Sequence, residues 1–429
     1  MEPERAAGEG RAGPPELAGW RDPGILAAAG LSVASGFAQF GVAAALADVA
    51  TTFGKAGGLG AGGSLIAQVG LSGTMIGLGL ATIRGASLAA LPLASLADRL
   101  GRRRVLLGSA ALGLAFTALA STSPSFWWFV ALFALARPLL TATNSLTALV
   151  AAEETPTGDR ARAVALVAAG YGVGAGLIAV ARSTLGGTLG WRGLFLLAVL
   201  PLIALPGLAR FLREPARFAR TAPGGRRWSL LDPLTAPVAR PRLLALIGLA
   251  FAIAFVSGPA NTFLFLYTER VLGLGPGATA GMVLAAGPAG LLGLLAGRAA
   301  ADRLGRRPAG AAAQVLVALA GALTYSGTVA GAVGGYLAAV FGGSAYAPAV
   351  AALAAELFPT RMRGAVAGWV TAAGVLGAVA GLVVFGRLAD SFGGFGGAAV
   401  AVAVPVALMA GLFLPLPETA RLELEDAED

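Results

Sequence analysis

Charged side chains are gathered into short segments of this chain, and long apolar stretches separate them. Twelve such stretches lie at about 24–48, 68–97, 105–122, 126–152, 161–185, 191–211, 243–268, 279–301, 309–330, 334–357, 364–389 and 396–416, each bounded by charge or by Pro/Gly clusters. Each is close to the roughly 20 residues that an α-helix needs to cross hydrocarbon. Open sheet edges cannot face lipid, so helices are the form these segments must take. The pattern predicts an all-α integral membrane protein of twelve transmembrane helices, with the lipid bilayer as solvent for most of the chain.

Composition agrees. Of 429 residues, 57% are hydrophobic and 12% charged, and the mean hydropathy is +0.78. A soluble domain cannot hide that much apolar surface, because surface area falls too slowly with size. The 64 glycines suit helices that must approach closely in lipid, where packing replaces the hydrophobic effect. With no Cys and no His, disulfides, iron–sulfur clusters, zinc sites and imidazole proton relays are all excluded. No cofactor and no metal is expected, and any side-chain proton carrier must be Asp or Glu. Residues 1–23 are polar and mixed in charge, unlike a cleavable secretory signal, so the first span is expected to act as its own insertion signal.

The second half echoes the first. Asp98-Arg99-Leu100-Gly101-Arg102-Arg103 recurs as Asp302-Arg303-Leu304-Gly305-Arg306-Arg307, and Arg182 through Gly190 aligns with Gly386 through Gly394, both at an offset of 204. Glu153 and Pro156 return as Glu356 and Pro359 at 203. Repeats of this kind build two halves around a site near the membrane midplane. The expected organisation is a tail over 1–23, a pseudo-symmetric pair of six-helix bundles over 24–211 and 243–416, an Arg- and Pro-rich linker over 212–242 and a tail over 417–429.

The net charge of +9 could suggest nucleic acid, but the basic residues occupy short loops, where topology explains them better. With both termini inside, 24 of the 31 basic residues face the cytoplasm and five face outward, Lys55, Arg182, Arg192, Arg270 and Arg387. The positive-inside rule then places both ends in the cytoplasm. Thirty of the 31 are Arg, which points to a GC-rich bacterial genome and so to a bacterial inner membrane. No nucleic-acid partner is expected, and the working unit is taken as a monomer.

The repeated Asp-Arg-x-Gly-Arg-Arg loop resembles the signature of the major facilitator superfamily, and the likeness covers nearly the whole chain. The position four before the Asp, usually Gly in that family, is Ala94 in one copy and Arg298 in the other, with Gly297 one residue early. Glu356-Leu-Phe-Pro-Thr-Arg361-Met-Arg363-Gly364, Arg213-Glu214-Pro215-Ala216-Arg217-Phe218 and Pro417-Glu418-Thr419 look like the sugar porter and organic acid symporter branches. The drug antiporters carry Gly-Pro in span 5, where this chain has Gly174-Ala175. The resemblance implies a secondary transporter that works by alternating access and is not an enzyme. It also implies a cytoplasmic gate made of Asp98, Arg99, Arg102, Glu153 and Arg160 with Asp302, Arg303, Arg306, Glu356 and Arg361. Single exposed ion pairs contribute only about 0–1 kcal/mol, so a gate needs such a network.

All 22 acids fall in tails, loops or helix ends, and none lies mid-span; Asp48, Glu269 and Asp390 sit at outer ends. Two cations do lie within spans, Arg84 and Arg137. A buried Arg costs at least about 2.5–3.5 kcal/mol and normally faces a cavity or a partner. An anionic solute can be that partner, since guanidinium holds carboxylate in a bidentate fork. Arg137 falls at the Arg of a family span-4 motif, with Thr141 where Gly is usual, and a structural role for both Arg stays open. The substrate-binding candidates are Arg84, Arg137, Gln39, Asn144, Tyr171, Asn261, Tyr346 and Trp369, with Ser35 and Tyr267 as further polar positions. Gln39 aligns with the span-1 Asp of sugar symporters and cannot titrate, which leaves Asp48 as the proton-coupling candidate. Pro288 and Pro348 are read as interruptions of spans 8 and 10. The function expected is movement of a small organic anion, with or without a proton. Efflux of drugs or metabolites by proton antiport, and sugar transport, are the alternatives.

Overall fold

A computed structural model describes residues 19–54, 68–214, 232–359 and 362–419. The tails over 1–18 and 420–429, most of the linker, and Arg361 lie outside the described residues. Local chemistry starts the helices where the apolar runs begin. Asp22 accepts from Gly24 N at 2.7 Å just before Pro23, whose missing N–H costs nothing at a first helical position. Ser72, Ser125 and Thr328 cap in the same way, accepting from Met75 N, Trp128 N and Gly331 N.

Among the described residues, besides short helices at Asp232–Thr235 and Leu264–Arg270, twelve longer helices result: α1 (Pro23–Phe53), α2 (Gly73–Leu100), α3 (Arg102–Thr122), α4 (Phe126–Glu154), α5 (Thr157–Leu196), α6 (Val199–Ala209), α7 (Ala239–Thr262), α8 (Pro276–Leu304), α9 (Arg306–Thr324), α10 (Val329–Glu356), α11 (Arg363–Ser391) and α12 (Phe395–Phe413). No strand is present among the described residues. The loop read between the fifth and sixth runs shrinks to one residue. Gly190, at φ 60, turns the chain inside the α5 range, and residues 191–196 are helical beyond it and lead into α6. Gly101 (φ 100) and Gly305 (φ 107) make the matching tight turns from α2 to α3 and from α8 to α9. Each adopts a left-handed conformation that a Cβ disfavours.

Pro288 and Pro348 do not interrupt their spans, since α8 and α10 run through them. The breaks fall elsewhere. In α2, Ser87–Ala89 tightens into a 3₁₀ turn; Pro92, which cannot donate to the carbonyl of Leu88, follows directly. After Pro259, α7 bends at Phe263 and resumes as Leu264–Arg270. The Tyr325 hydroxyl donates to the carbonyls of Pro259 and Ala260 at 3.2 and 3.0 Å, satisfying polar groups at that bend.

Glycine sets the helix spacing. Within the first bundle, a Cβ at Gly36 would run into Tyr171 O, and one at Gly174 into Val33 O, so α1 and α5 touch backbone to backbone. The repeat-related pair α7 and α11 does the same through Gly377 and Gly381, against Phe251 O and Phe255 O. In α8, Gly293 and Gly297 lie against Phe341 O and Ala345 O of α10. Gly297, one residue before Arg298, thus makes the backbone-close contact on this helix. Leucines such as Leu291, Leu295 and Leu408 stay exposed on the outside of the bundles, as lipid-facing positions should.

The glycine contacts yield the first prediction. Gly381→Leu, whose side chain would enter the Phe255 backbone, should destabilise the protein by about 1–3 kcal/mol or more. Gly287→Leu, where nothing lies within 4 Å, should be close to neutral. Unfolding midpoints in detergent check the difference.

Candidate functional site

Between the two bundles lies a cavity of about 310 Å³, within the range of small-molecule sites. Its walls come from both halves: Gln39 on α1, Arg84 on α2, Arg137 on α4, Tyr171 on α5, Ser257 and Asn261 on α7, and Ala378 and Leu382 on α11. Five of the eight candidates thus meet at one place. Gln39 is held in position from behind. Its amide nitrogen donates to Ser35 Oγ at 2.9 Å, and Ser35 donates to Leu140 O at 2.9 Å, tying α1 to α4. Asn261 Nδ2 likewise donates to Ser257 O at 2.8 Å, leaving its carbonyl oxygen uncommitted.

Arg84 and Arg137 face this cavity without compensation. The Nε atoms of both are shielded from solvent and lack a hydrogen-bond partner, and neither side chain forms an ion pair with any described residue. No carboxylate is among the residues that line the cavity.

The other candidates lie apart. Asn144 accepts from Ser32 Oγ at 3.4 Å and serves the α1–α4 contact. Trp369 packs half-buried against an apolar cluster of the second bundle that includes Leu243 and Phe358. Tyr346 lines a separate cavity in that bundle. Tyr267, one of the further polar positions, is a core residue: it is 2% exposed, accepts from Gly327 N at 2.7 Å and packs against Tyr325.

Two sets of charges flank the cavity. At the face away from Gly19 and Thr419, here the far face, the bundles are joined by ions. Arg182 of α5, 3% exposed, holds Asp48 of α1 at 2.9 Å and Glu269 beyond α7 through both guanidinium nitrogens. Arg270 approaches Asp48 at 3.7 Å. Nearby, Asp390 of α11 accepts from Gly73 N (2.7 Å), Thr74 N (2.8 Å) and Thr74 Oγ1 (2.6 Å), capping the start of α2 from the other bundle. An acid there also meets the positive end of the helix dipole. Gly73, Gly77 and Gly386 let α2 and α11 close to backbone contact. Asp48, the proton-coupling candidate, is therefore one member of a four-residue ion cluster at this closure.

At the face that carries Gly19 and Thr419, the ion pairs among the described residues lie within each bundle. Arg102 pairs with Asp98 (3.4 Å) and with Glu153; Arg306 pairs with Asp302 (2.7 Å) and Glu356 (3.4 Å). Glu214 accepts from the backbone N–H groups of Arg102 and Arg103, and Glu418 from those of Arg306 and Arg307. Arg99, Arg160 and Arg303 form no ion pair with a described residue. The latch expected to hold this face shut is not made across the bundles in this conformation, where the cross-bundle ion pairs among the described residues lie at the far face.

Sequence reading missed the pairing of Arg182 with Glu269, the cap by Asp390, and the two glutamate caps. A signal existed for the last: Glu214 and Glu418 are themselves 204 residues apart, so the motifs after spans 6 and 12 are one repeated device.

A model of the Major Facilitator Superfamily matches residues 28–322 and 288–429. The 3-(3-hydroxy-phenyl)propionate transporter of Escherichia coli (strain K12) is 31% identical over 349 residues, 78% of this chain and 82% of that protein. Among solved structures, the inward open conformation of the xylose transporter XylE from E. coli matches with a TM-score of 0.73 at 17% identity, covering 94% of this chain and 98% of that one. A bacterial homologue of the human lysosomal transporter Spinster, inward-facing and unoccupied, matches at 0.70 and 17%, covering 95% and 98%. At those identities the structural likeness speaks for the fold.

The far-face closure can be tested because the chain has no cysteine. A Phe40→Cys probe in the cavity wall should resist an impermeant thiol reagent supplied at the far face. Adding Asp390→Asn or Arg182→Gln should raise the labelling rate several-fold.

Proposed function

Because the chain belongs to the major facilitator superfamily and is a membrane transporter, not an enzyme, we propose that it carries a small organic anion across the membrane as a secondary transporter working by alternating access. The observation that carries this reading is the pair of guanidinium groups, Arg84 and Arg137, lining one cavity with no carboxylate among its lining residues. Two like charges at membrane depth are costly without a counter-ion. A carboxylate would offset both, with charge-assisted bonds of the stronger class. The relative whose printed name gives a hydroxyphenylpropionate, itself a carboxylate, supports the same chemistry.

Gln39, Tyr171, Ser257 and Asn261 would then orient the uncharged part of the solute. Both bundles of one chain complete the cavity, which supports a monomer as the working unit. With the chain ends in the cytoplasm of a bacterium, as the 24-to-5 charge bias favours, a closed far face corresponds to an inward-facing state. Alternating access then requires that the Arg182 cluster and the Asp390 cap break while contacts form between the Arg102 and Arg306 clusters, since a ligand acts only through its differential affinity for the two states. With no carboxylate lining the cavity and Asp48 bound to Arg182, any proton moves on the substrate's own carboxyl group.

A thermal-shift screen of purified protein against aromatic and aliphatic carboxylates, neutral sugars and hydrophobic cations tests the reading. Carboxylates should raise the unfolding midpoint, with about 2.7 kcal/mol of stabilisation at a hundredfold excess over Kd. Arg137→Gln and Arg84→Gln should each weaken that response at least tenfold in concentration. Stabilisation confined to sugars or cations would reject it.

A further inference from the structure

The walls of the arginine-lined cavity carry formal charge of one sign only. Arg84 and Arg137 line it, and the other polar residues of the lining are amides and hydroxyls, Gln39, Tyr171, Ser257 and Asn261 among them. None of these is an anion at neutral pH. The acids nearest along the chain are already engaged elsewhere. Asp48 lies nine residues beyond Gln39, roughly 13 Å along α1, and is held by Arg182 at 2.9 Å. Glu269, beyond the end of α7, is bound to the same guanidinium. Asp390 is occupied with the start of α2.

Two guanidinium groups are tolerable in a cavity that is open to water on one side. Alternating access passes through a state in which both faces are shut and little water remains around the site. Repulsion between like charges grows as their surroundings become less polar, and so does the penalty on each charge alone. A carboxylate aboard offsets both through charge-assisted hydrogen bonds. None of the cavity's own residues can do so, since Gln39 and its neighbours neither gain nor lose a proton there. A loaded carrier therefore crosses the shut state far more readily than an unloaded one, and both legs of a cycle call for an anion. At about 310 Å³ the cavity lies at the lower end of small-molecule sites, which suits one small anion at a time.

We propose that the protein is an anion exchanger. A small carboxylate crosses in one direction and is released, and a second small organic anion from the other compartment occupies Arg84 and Arg137 for the return. Charge balances when one monoanion leaves for each that enters, and neither leg requires a proton. The inference rests on the anion reading of this cavity and adds to it the second substrate of the cycle.

The test uses the full-length protein in liposomes and labelled 3-(3-hydroxyphenyl)propionate as the probe, with leakage into protein-free vesicles subtracted. Vesicles loaded with the same acid, unlabelled, should take up label at least about tenfold faster than vesicles loaded only with a bulky sulfonate buffer, as the cost of an uncompensated Arg in the membrane implies. Gln39→Glu sets a carboxylate in the cavity wall and should bring the two rates together by speeding uptake into the buffer-loaded vesicles. Arg84→Gln removes one of the two charges and should narrow the gap in the same direction at saturating probe. Equal wild-type rates into both kinds of vesicle would overturn exchange and leave the anion reading standing. So would variants that both keep the full wild-type ratio, and so would an absence of uptake into loaded vesicles by a protein that carboxylates do stabilise against heat. If no carboxylate stabilises the protein, the anion reading falls and exchange falls with it. Should Gln39→Glu not fold, the wild-type ratio and Arg84→Gln still decide the matter.

Discussion

A charge held at membrane depth must find a counter-charge, water or a ligand, and the organisation of this protein follows from how each buried cation meets that demand. Arg182 meets it with carboxylates drawn from both bundles, and in doing so ties them together at the far face. Arg102 and Arg306 meet it within their own bundles and leave the opposite face unlatched. Arg84 and Arg137 do not meet it with any described side chain. The same requirement thus yields a clasp, two internal braces and a cavity lined by two cations.

The internal repeat explains why these devices sit where they do. The turn glycines Gly101 and Gly305, the braces on Arg102 and Arg306, and the caps by Glu214 and Glu418 are related by one offset, so each half carries a complete copy of the same corner. At the far face the symmetry is broken. The position equivalent to Arg182 is Gly386, and the two do opposite work. Arg182 supplies charge to the junction, whereas Gly386 supplies space, allowing α11 to lie against the backbone of α2. Divergence between copies at this level allows two equivalent halves to enclose one asymmetric site.

The twelve spans and their two bundles were legible because burial in lipid demands long apolar helices, and no soluble pattern imitates them. Arg84 and Arg137 were legible for the same reason, since cations inside such runs stand out, and Gln39, Tyr171 and Asn261 were found beside them. Legibility failed where the signal depends on which helix faces which. Asn144 and Trp369 have the right chemistry but point into helix packing, and nothing in a one-dimensional pattern separates the two fates. Proline was over-read: Pro288 and Pro348 leave their helices continuous, while the bends fall at Ser87–Ala89 and Phe263, near Pro92 and Pro259. The far-face ion cluster draws on residues from 48 to 270, a separation that local motifs do not span.

The meeting of α2 and α11 is made largely of bare main chain, with Gly73, Gly77 and Gly386 in place of interlocking side chains. Parting that pair of helices uncovers little hydrocarbon, whereas the neighbouring contact of Phe40 with Phe265, beside Ile178 and Ala280, is apolar. The far face is therefore held by two kinds of contact, apolar packing and a handful of formal charges at one rim. The charged part answers to ionic strength and membrane potential, which makes the bathing medium itself a participant in how firmly that face is held.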